Sequence, residues 1–279
     1  MVTRSDYQKD AVDACLSVML EVMTILGAFR DHIVLIGGWV PFFLLKEKQD
    51  EHTGSLDIDL AFDFKNISMQ TYRTILQLLK QHEYQQGVQP FIFHREIKTS
   101  VGRIIKVQVD LLSGEYGGTG RSHRTQKIQD ARARKARGSD LVFEDYSTIK
   151  ISGKMPDGAE NEIMIKIANV VPFLVMKGMV LWETYKEKHA YDIYFIIRNF
   201  PGGINTLVDL FKPVLSNRLV QEGLGKIRSI FEKINSIGPK WIVNFEGIDD
   251  EEAKDMMQRD AFERVNALLD RLSISPHSE

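Results

Sequence analysis

The chain has a single cysteine, Cys15, among its 279 residues. One thiol excludes an intrachain disulfide and any zinc site built from several cysteines, and such sparing use fits a reducing compartment. An excess of charge is missing too: 36 Lys and Arg against 38 Asp and Glu leave a net charge of -2, which excludes a histone-like or polybasic binder. No apolar run approaches the ~20 residues that a membrane-spanning helix requires. The most apolar stretch, residues 33–45, is interrupted by two glycines and a proline. Arg4, Asp6, Lys9 and Asp10 stand near the start, and no apolar core of a signal peptide follows in the expected place. There is no repeat of solenoid period and no low-complexity segment. Together these absences predict a cytoplasmic protein without a membrane association.

What is present is an ordinary globular composition, 43% hydrophobic and 27% charged, with length for one large domain or two modest ones. Val12, Leu16, Met19, Met23 and Leu26 recur at helical spacing. Residues 32–36 (HIVLI) read as a buried strand, ended by Gly37-Gly38 and followed by a helix with Pro41 in its first turn. A polar connection over 46–54 leads to a second strand at 55–62 (SLDIDLAF). The pattern then predicts a helix over 69–86, strands at 91–95 and 103–112, and a glycine-rich loop at 113–120. Residues 148–152 and 162–167, joined by KMPDGAEN, predict a hairpin. From Val171 onward every long segment has helical period. The expected architecture is α+β: a mixed sheet flanked by helices over residues 1–165, and a helical domain over 166–279.

The acids carry the chemistry. Asp57 and Asp59 sit at i and i+2 of one strand and therefore project from the same face. Paired carboxylates on one face suit a divalent ion such as Mg²⁺, which prefers hard oxygen ligands. A solvated edge strand with alternate acids facing water fits the motif equally well. Asp110, a solitary acid among Val107, Val109, Leu111 and Leu112, tips the balance, because beside Asp57 and Asp59 it would complete a cluster for two ions. The alternative for Asp110 is a strand-end or turn residue. Gly37-Gly38, between strand and helix, exposes backbone N–H groups that can cradle a phosphate, although such turns are often only structural.

The run LIGGWVPFFLL followed by SLDIDLAF resembles the signature of the DNA polymerase β-type nucleotidyltransferase superfamily. KMPDG, Lys177 in FLVMKGMVLWE, and KEKHAYDIYFIIRN resemble the motifs of AbiEii-type toxin nucleotidyltransferases. The resemblance covers about residues 33–199 and implies a nucleotidyltransferase catalytic domain, with the helical domain completing the active-site cleft. It implies that Gly37, Gly38 and Ser55 contact the triphosphate, and that Asp57 and Asp59 bind the metal, Mg²⁺ or Mn²⁺. Asp110 becomes a third ligand or general base. Lys177 neutralises phosphate charge, and Asp192 completes the site. Three departures stand out: His189 replaces a common aspartate, Lys186 a frequent arginine, and the interval between Gly38 and Asp57 is long. Taken from the residues alone, Lys177 could instead snorkel to solvent, and Asp192 could be a helix-start acid favoured by the dipole. Tyr191, Tyr194 and Trp182 read as core packing.

Residues 121–137 contain seven cations, Arg121, Arg124, Lys127, Arg132, Arg134, Lys135 and Arg137, and one acid, Asp130. This segment alone stands at +6, so the rest of the chain stands at -8. It either tracks a nucleic-acid backbone or forms a solvated helix face. The leading expectation is transfer of a nucleoside monophosphate from an NTP, such as ATP or GTP, to an acceptor hydroxyl on RNA such as tRNA. The resemblance implies the toxin of a toxin–antitoxin pair, with a cognate antitoxin protein as partner. The alternatives are transfer to an aminoglycoside-like small molecule and a non-catalytic nucleotide-binding module.

Overall fold

The computed structural model describes residues 2–63, 66–98, 102–113, 125–128, 131–135, 137–184 and 186–277, of which 69, 125–128 and 131–135 are described by their backbone alone. The chain divides into two compact units. One, here the sheet unit, comprises Gln8–Val40 and Gly54–Asn169; the other, the helical unit, comprises Met1–Tyr7, Pro41–Thr53 and Val170–Glu279. The change to helical texture thus falls at Asn169, a few residues past the expected 165, and the polar connection belongs with the distant C-terminal helices. Sequence continuity hides that membership, because it depends on tertiary contacts.

In the sheet unit, α1 (Lys9–Ile25) precedes β1 (Ile33–Ile36), whose four residues are all buried. The short α2 (Trp39–Leu44) and a 3₁₀ segment (Lys46–Glu51) separate β1 from β2 (Asp57–Phe62). After β2 come α3 (Met69–Gln81), β3 (Gln85–Gln86), β4 (Ile92–Lys98) and β5 (Ile104–Ser113). Next are β6 (Thr125–Ile128) and β7 (Ala131–Lys135), then β8 (Tyr146–Lys154) and β9 (Glu160–Ala168). The sheet order is β3-β4-β5-β2-β1-β9-β8, with β7 attached to β5 and β6 to β7. It is mixed: β2 runs parallel to β5 and β1 to β9, while β1–β2, β4–β5 and β8–β9 are antiparallel. The α+β expectation holds.

Two local expectations need correction. The helix expected over 69–86 stops at Gln81, because the chain turns left-handed at Glu83, with φ 64°. The next two residues join the sheet as β3. The basic stretch is not a helix face where it is described: Thr125–Ile128 and Ala131–Lys135 pair as antiparallel strands. Arg121 and Arg124 lie outside the described residues, as does most of the expected glycine loop.

The helical unit contains α4 (Val170–Thr184), α5 (Glu187–Asn199), α6 (Gly203–Phe211), α7 (Arg218–Ile230), α8 (Ile237–Glu246) and α9 (Glu251–Arg271). α4 is apolar nearly all round and buried on most of its surface, the pattern of a central helix. It lies against α7 so closely that a Cβ at Gly178 would overlap the Gly223 carbonyl. That crossing fixes the rotation of α4 one residue from Lys177. Among the described residues, no helix is long and apolar enough to cross a membrane.

Candidate functional sites

In β2, the sequence Asp-Ile-Asp-Leu alternates partly exposed acids with buried aliphatics. Ile58 and Leu60 are fully buried and hold the strand in the sheet, which leaves Asp57 and Asp59 on the opposite face. Parallel pairing sets Asp59 directly opposite Asp110 of β5. The three acids expected to cluster therefore share one face, and Asp110 itself is buried, 5% exposed. Asp57 accepts a hydrogen bond from Ser55 Oγ at 2.5 Å, and Asp110 accepts one from Gln108 Nε2 at 2.8 Å.

The glycine turn is built against this face. Gly37 has φ 76°, and a Cβ there would overlap the Asp59 carboxylate. At Gly38 a Cβ would lie 2.6 Å from Ser55 Oγ. A side chain at either glycine would thus have to displace Asp59 or Ser55, and at Gly37 the positive φ adds backbone strain.

Among the described residues, no three His, Cys, Asp or Glu side chains converge closely enough to hold a metal ion by themselves. The donor set still fits Mg²⁺ or Mn²⁺ at an open site. Both ions take carboxylate oxygens, and Mg²⁺ usually uses one or two carboxylates, with water and substrate phosphates filling the remaining positions. Asp59 and Asp110, opposed on adjacent strands, supply such a pair.

The helical unit holds a second constellation, centred on Asp192, which is fully buried. Asp192 is the sixth residue of α5, so it is not a helix-start acid. Its Oδ2 accepts from Lys177 Nζ at 2.7 Å, and its Oδ1 accepts from Lys188 Nζ and from His52 Nε2, the latter at 3.1 Å. A carboxylate only accepts, so the His52 proton is on Nε2. Lys177 is 7% exposed and is held inward rather than snorkelling; its Nζ also lies 3.3 Å from His189 Nδ1. Lys188 sits among three aromatic rings, with its ammonium 5.3 Å from Tyr191, 5.4 Å from Tyr7 and 5.8 Å from Phe245, within cation–π range.

Protonation follows from these contacts. Burial alone would raise the Asp192 pKa, but Lys177 and Lys188, with the His52 hydrogen bond, hold it well below the usual carboxylate range. Burial, then the charge of Lys188, lowers His52 to about 4 against the pull of Asp192. Burial and Lys177 likewise push His189 well down. Both imidazoles are therefore neutral at pH 7, and the ionic core is two ammonium groups on one carboxylate.

The structure thus joins Lys177 to Asp192 and adds His52, Lys188 and His189. Lys188 had a signal in the sequence, since it lies one helical turn before Asp192. His52 had none, because its segment joins the helical unit only through tertiary packing. Tyr191 and Tyr194 are core residues, 1% and 3% exposed, as expected.

A scan of protein-family profiles and a search of curated proteins each gave no match. Solved structures gave loose likenesses. JHP933 from Helicobacter pylori is similar at 11% identity and TM-score 0.45, over 95% of this chain and 94% of that one. An antigenic nucleotidyltransferase-like protein from Paracoccidioides brasiliensis is similar at 18% identity and TM-score 0.43, over 79% of this chain and 88% of that one.

Proposed function

We propose that the chain is a metal-dependent nucleotidyltransferase that moves a nucleoside monophosphate from an NTP to an acceptor hydroxyl. One observation carries this reading: Asp59 and Asp110 are opposed on adjacent parallel strands, with Asp57 on the same face. Asp57, Asp59 and Asp110 would hold Mg²⁺ or Mn²⁺ only together with substrate phosphates and water, since the three carboxylates do not by themselves converge on one ion. When bound, such an ion offsets charge on the phosphates and the departing pyrophosphate. The residues of the chain do the rest. The acceptor oxygen bonds to the α-phosphorus as the bond to pyrophosphate breaks, and Asp110 takes the hydroxyl proton. Gly37, Gly38 and Ser55 contact the triphosphate, Lys177 takes up phosphoryl charge, and Asp192 fixes Lys177 rather than touching the substrate.

Within this reading the acceptor is RNA such as tRNA, and the protein is the toxin of a toxin–antitoxin pair with a cognate antitoxin. The RNA acceptor is supported by the concentration of seven cations within residues 121–137 of an otherwise acidic chain, and the toxin role by the resemblance of the Lys177 and Asp192 segments alone. Lys127, Arg132, Arg134, Lys135 and Arg137, with Arg121 and Arg124, would track the phosphate backbone, giving affinity that falls steeply with salt.

The test is incubation with labelled NTPs, Mg²⁺ and total tRNA. Label on tRNA from the wild type and none from Asp57→Ala supports the proposal. Equal labelling by both proteins, or none under any condition, overturns it. Label on an aminoglycoside but never on RNA would move the acceptor to a small molecule.

A further inference from the structure

Lys177 is gripped at two points. Asp192 Oδ2 accepts from its ammonium at 2.7 Å, and His189 Nδ1 lies 3.3 Å away on α5. For Nδ1 to accept, the His189 proton must be on Nε2. The two acceptors differ in one respect: the carboxylate brings a negative charge and the imidazole brings none. An acid at 189 could hold the same ammonium, but it would add a second negative charge to a cluster that already contains Asp192.

We infer that His189 is a positioning residue that orients the Lys177 ammonium through Nδ1 while leaving its positive charge available to an anionic phosphoryl ligand. The inference rests on the role of Lys177 in the proposed function. It concerns how the cluster is tuned, not which reaction occurs. The charged groups around His189 agree with it. Lys177, Lys186 and Lys188 all oppose its protonation, and Asp192 alone favours it. Burial first, and then the cation that it orients, keep the ring a neutral acceptor.

The experiment compares His189→Asp with His189→Asn, both shorter polar acceptors, the first charged and the second neutral. Binding of inorganic triphosphate is measured by titration calorimetry, and thermal melts confirm that each variant is folded. His189→Asp is expected to bind triphosphate about tenfold more weakly than His189→Asn, the scale of one nearby charge, or ~1.4 kcal/mol. With ATP and Mg²⁺ the difference should appear in KM more than in kcat. Equal affinities would overturn the inference.

Nitrogen NMR of the wild-type histidines gives a second readout that needs no variant. The inference requires His189 in the Nε2–H form at neutral pH. A proton on Nδ1 would overturn it. The two proposals fail separately: nucleotidyl transfer with indistinguishable variants removes only the role of His189. Triphosphate binding that follows the expected order, without any transfer, removes only the reaction.

Discussion

Asp59 and Asp110 stand directly opposite each other across the parallel pairing of β2 and β5. Like charges so placed destabilise a sheet, typically by ~0.2–1 kcal/mol, and a divalent ion between them would reverse the sign of that interaction. Asp59→Asn should therefore melt no lower than wild type in EDTA, and about as much as 1 kcal/mol more stably by the same reasoning. It should also lack the rise in melting temperature that the proposed metal site predicts for the wild type in Mg²⁺. Nucleotidyl transfer should fall by at least about a hundredfold, as expected when transition-state charge stabilisation is removed. An Asp59→Asn protein that Mg²⁺ still stabilises like the wild type would contradict the metal assignment.

Gly37 and Gly158 separate strain from contact. Both have positive φ, 76° and 87°, but a Cβ at Gly158 meets nothing within 4 Å, whereas one at Gly37 overlaps Asp59. Gly158→Ala carries only the backbone penalty, about 1 kcal/mol. Gly37→Ala carries that plus displacement of the Asp59 carboxylate, and should be at least about 1 kcal/mol worse in urea unfolding, at the scale of core overpacking. It should also impair metal-dependent stabilisation. Equal costs at the two sites would mean that the turn does not constrain the acid.

The acid pair was legible because a strand's period of two is a local property: Asp57 and Asp59 could be placed on one face from spacing alone. Register is not local, and the opposition of Asp59 to Asp110 needed the sheet. Lys177 and Asp192 were legible as candidate site residues through the resemblance to a known family. The other occupants of that cluster were not. His52 reaches Asp192 from 140 residues away, and Lys188 is brought among Tyr7, Tyr191 and Phe245 by tertiary packing. The end of α3 was misplaced for a related reason. Residues 82–86 carry no glycine or proline to mark the break, and the turn is made by Glu83 in a left-handed conformation that favours glycine.

His52 should give the protein an acid-sensitive limb. Its folded pKa is about 4 against an ordinary 6.5, so between those values the unfolded chain binds a proton that the folded chain refuses. Stability must then rise with pH through that window, and fall as pH drops from 6.5 to about 4. The swing is on the order of 3 kcal/mol by linkage. His189, depressed for similar reasons, adds to the same limb. Below about 4 the folded His52 protonates too, and its contribution levels off. Chemical denaturation at several pH values should show this slope in the wild type and a shallower one in His52→Gln. Parallel slopes in the two proteins would mean that His52 titrates normally.

The charges around Asp192 make a sharper prediction, because removing different members of the cluster should have unequal effects. Asp192→Ala leaves Lys177 and Lys188 beside each other with no shared carboxylate, and breaking a buried ion pair in this way costs ~3–5 kcal/mol. Lys188→Met removes one ammonium but keeps an apolar stem among Tyr7, Tyr191 and Phe245, so its cost should be smaller, about 1–3 kcal/mol. In the double variant the Lys188 ammonium is no longer there to be stranded. The combined loss should therefore fall short of the sum of the single losses by about 1–3 kcal/mol, the range for residues sharing one network. Urea unfolding of the four proteins at pH 7 closes this cycle. Strict additivity would show that Lys188 and Asp192 are neighbours without being energetic partners, and that the aromatic box alone holds Lys188 in place.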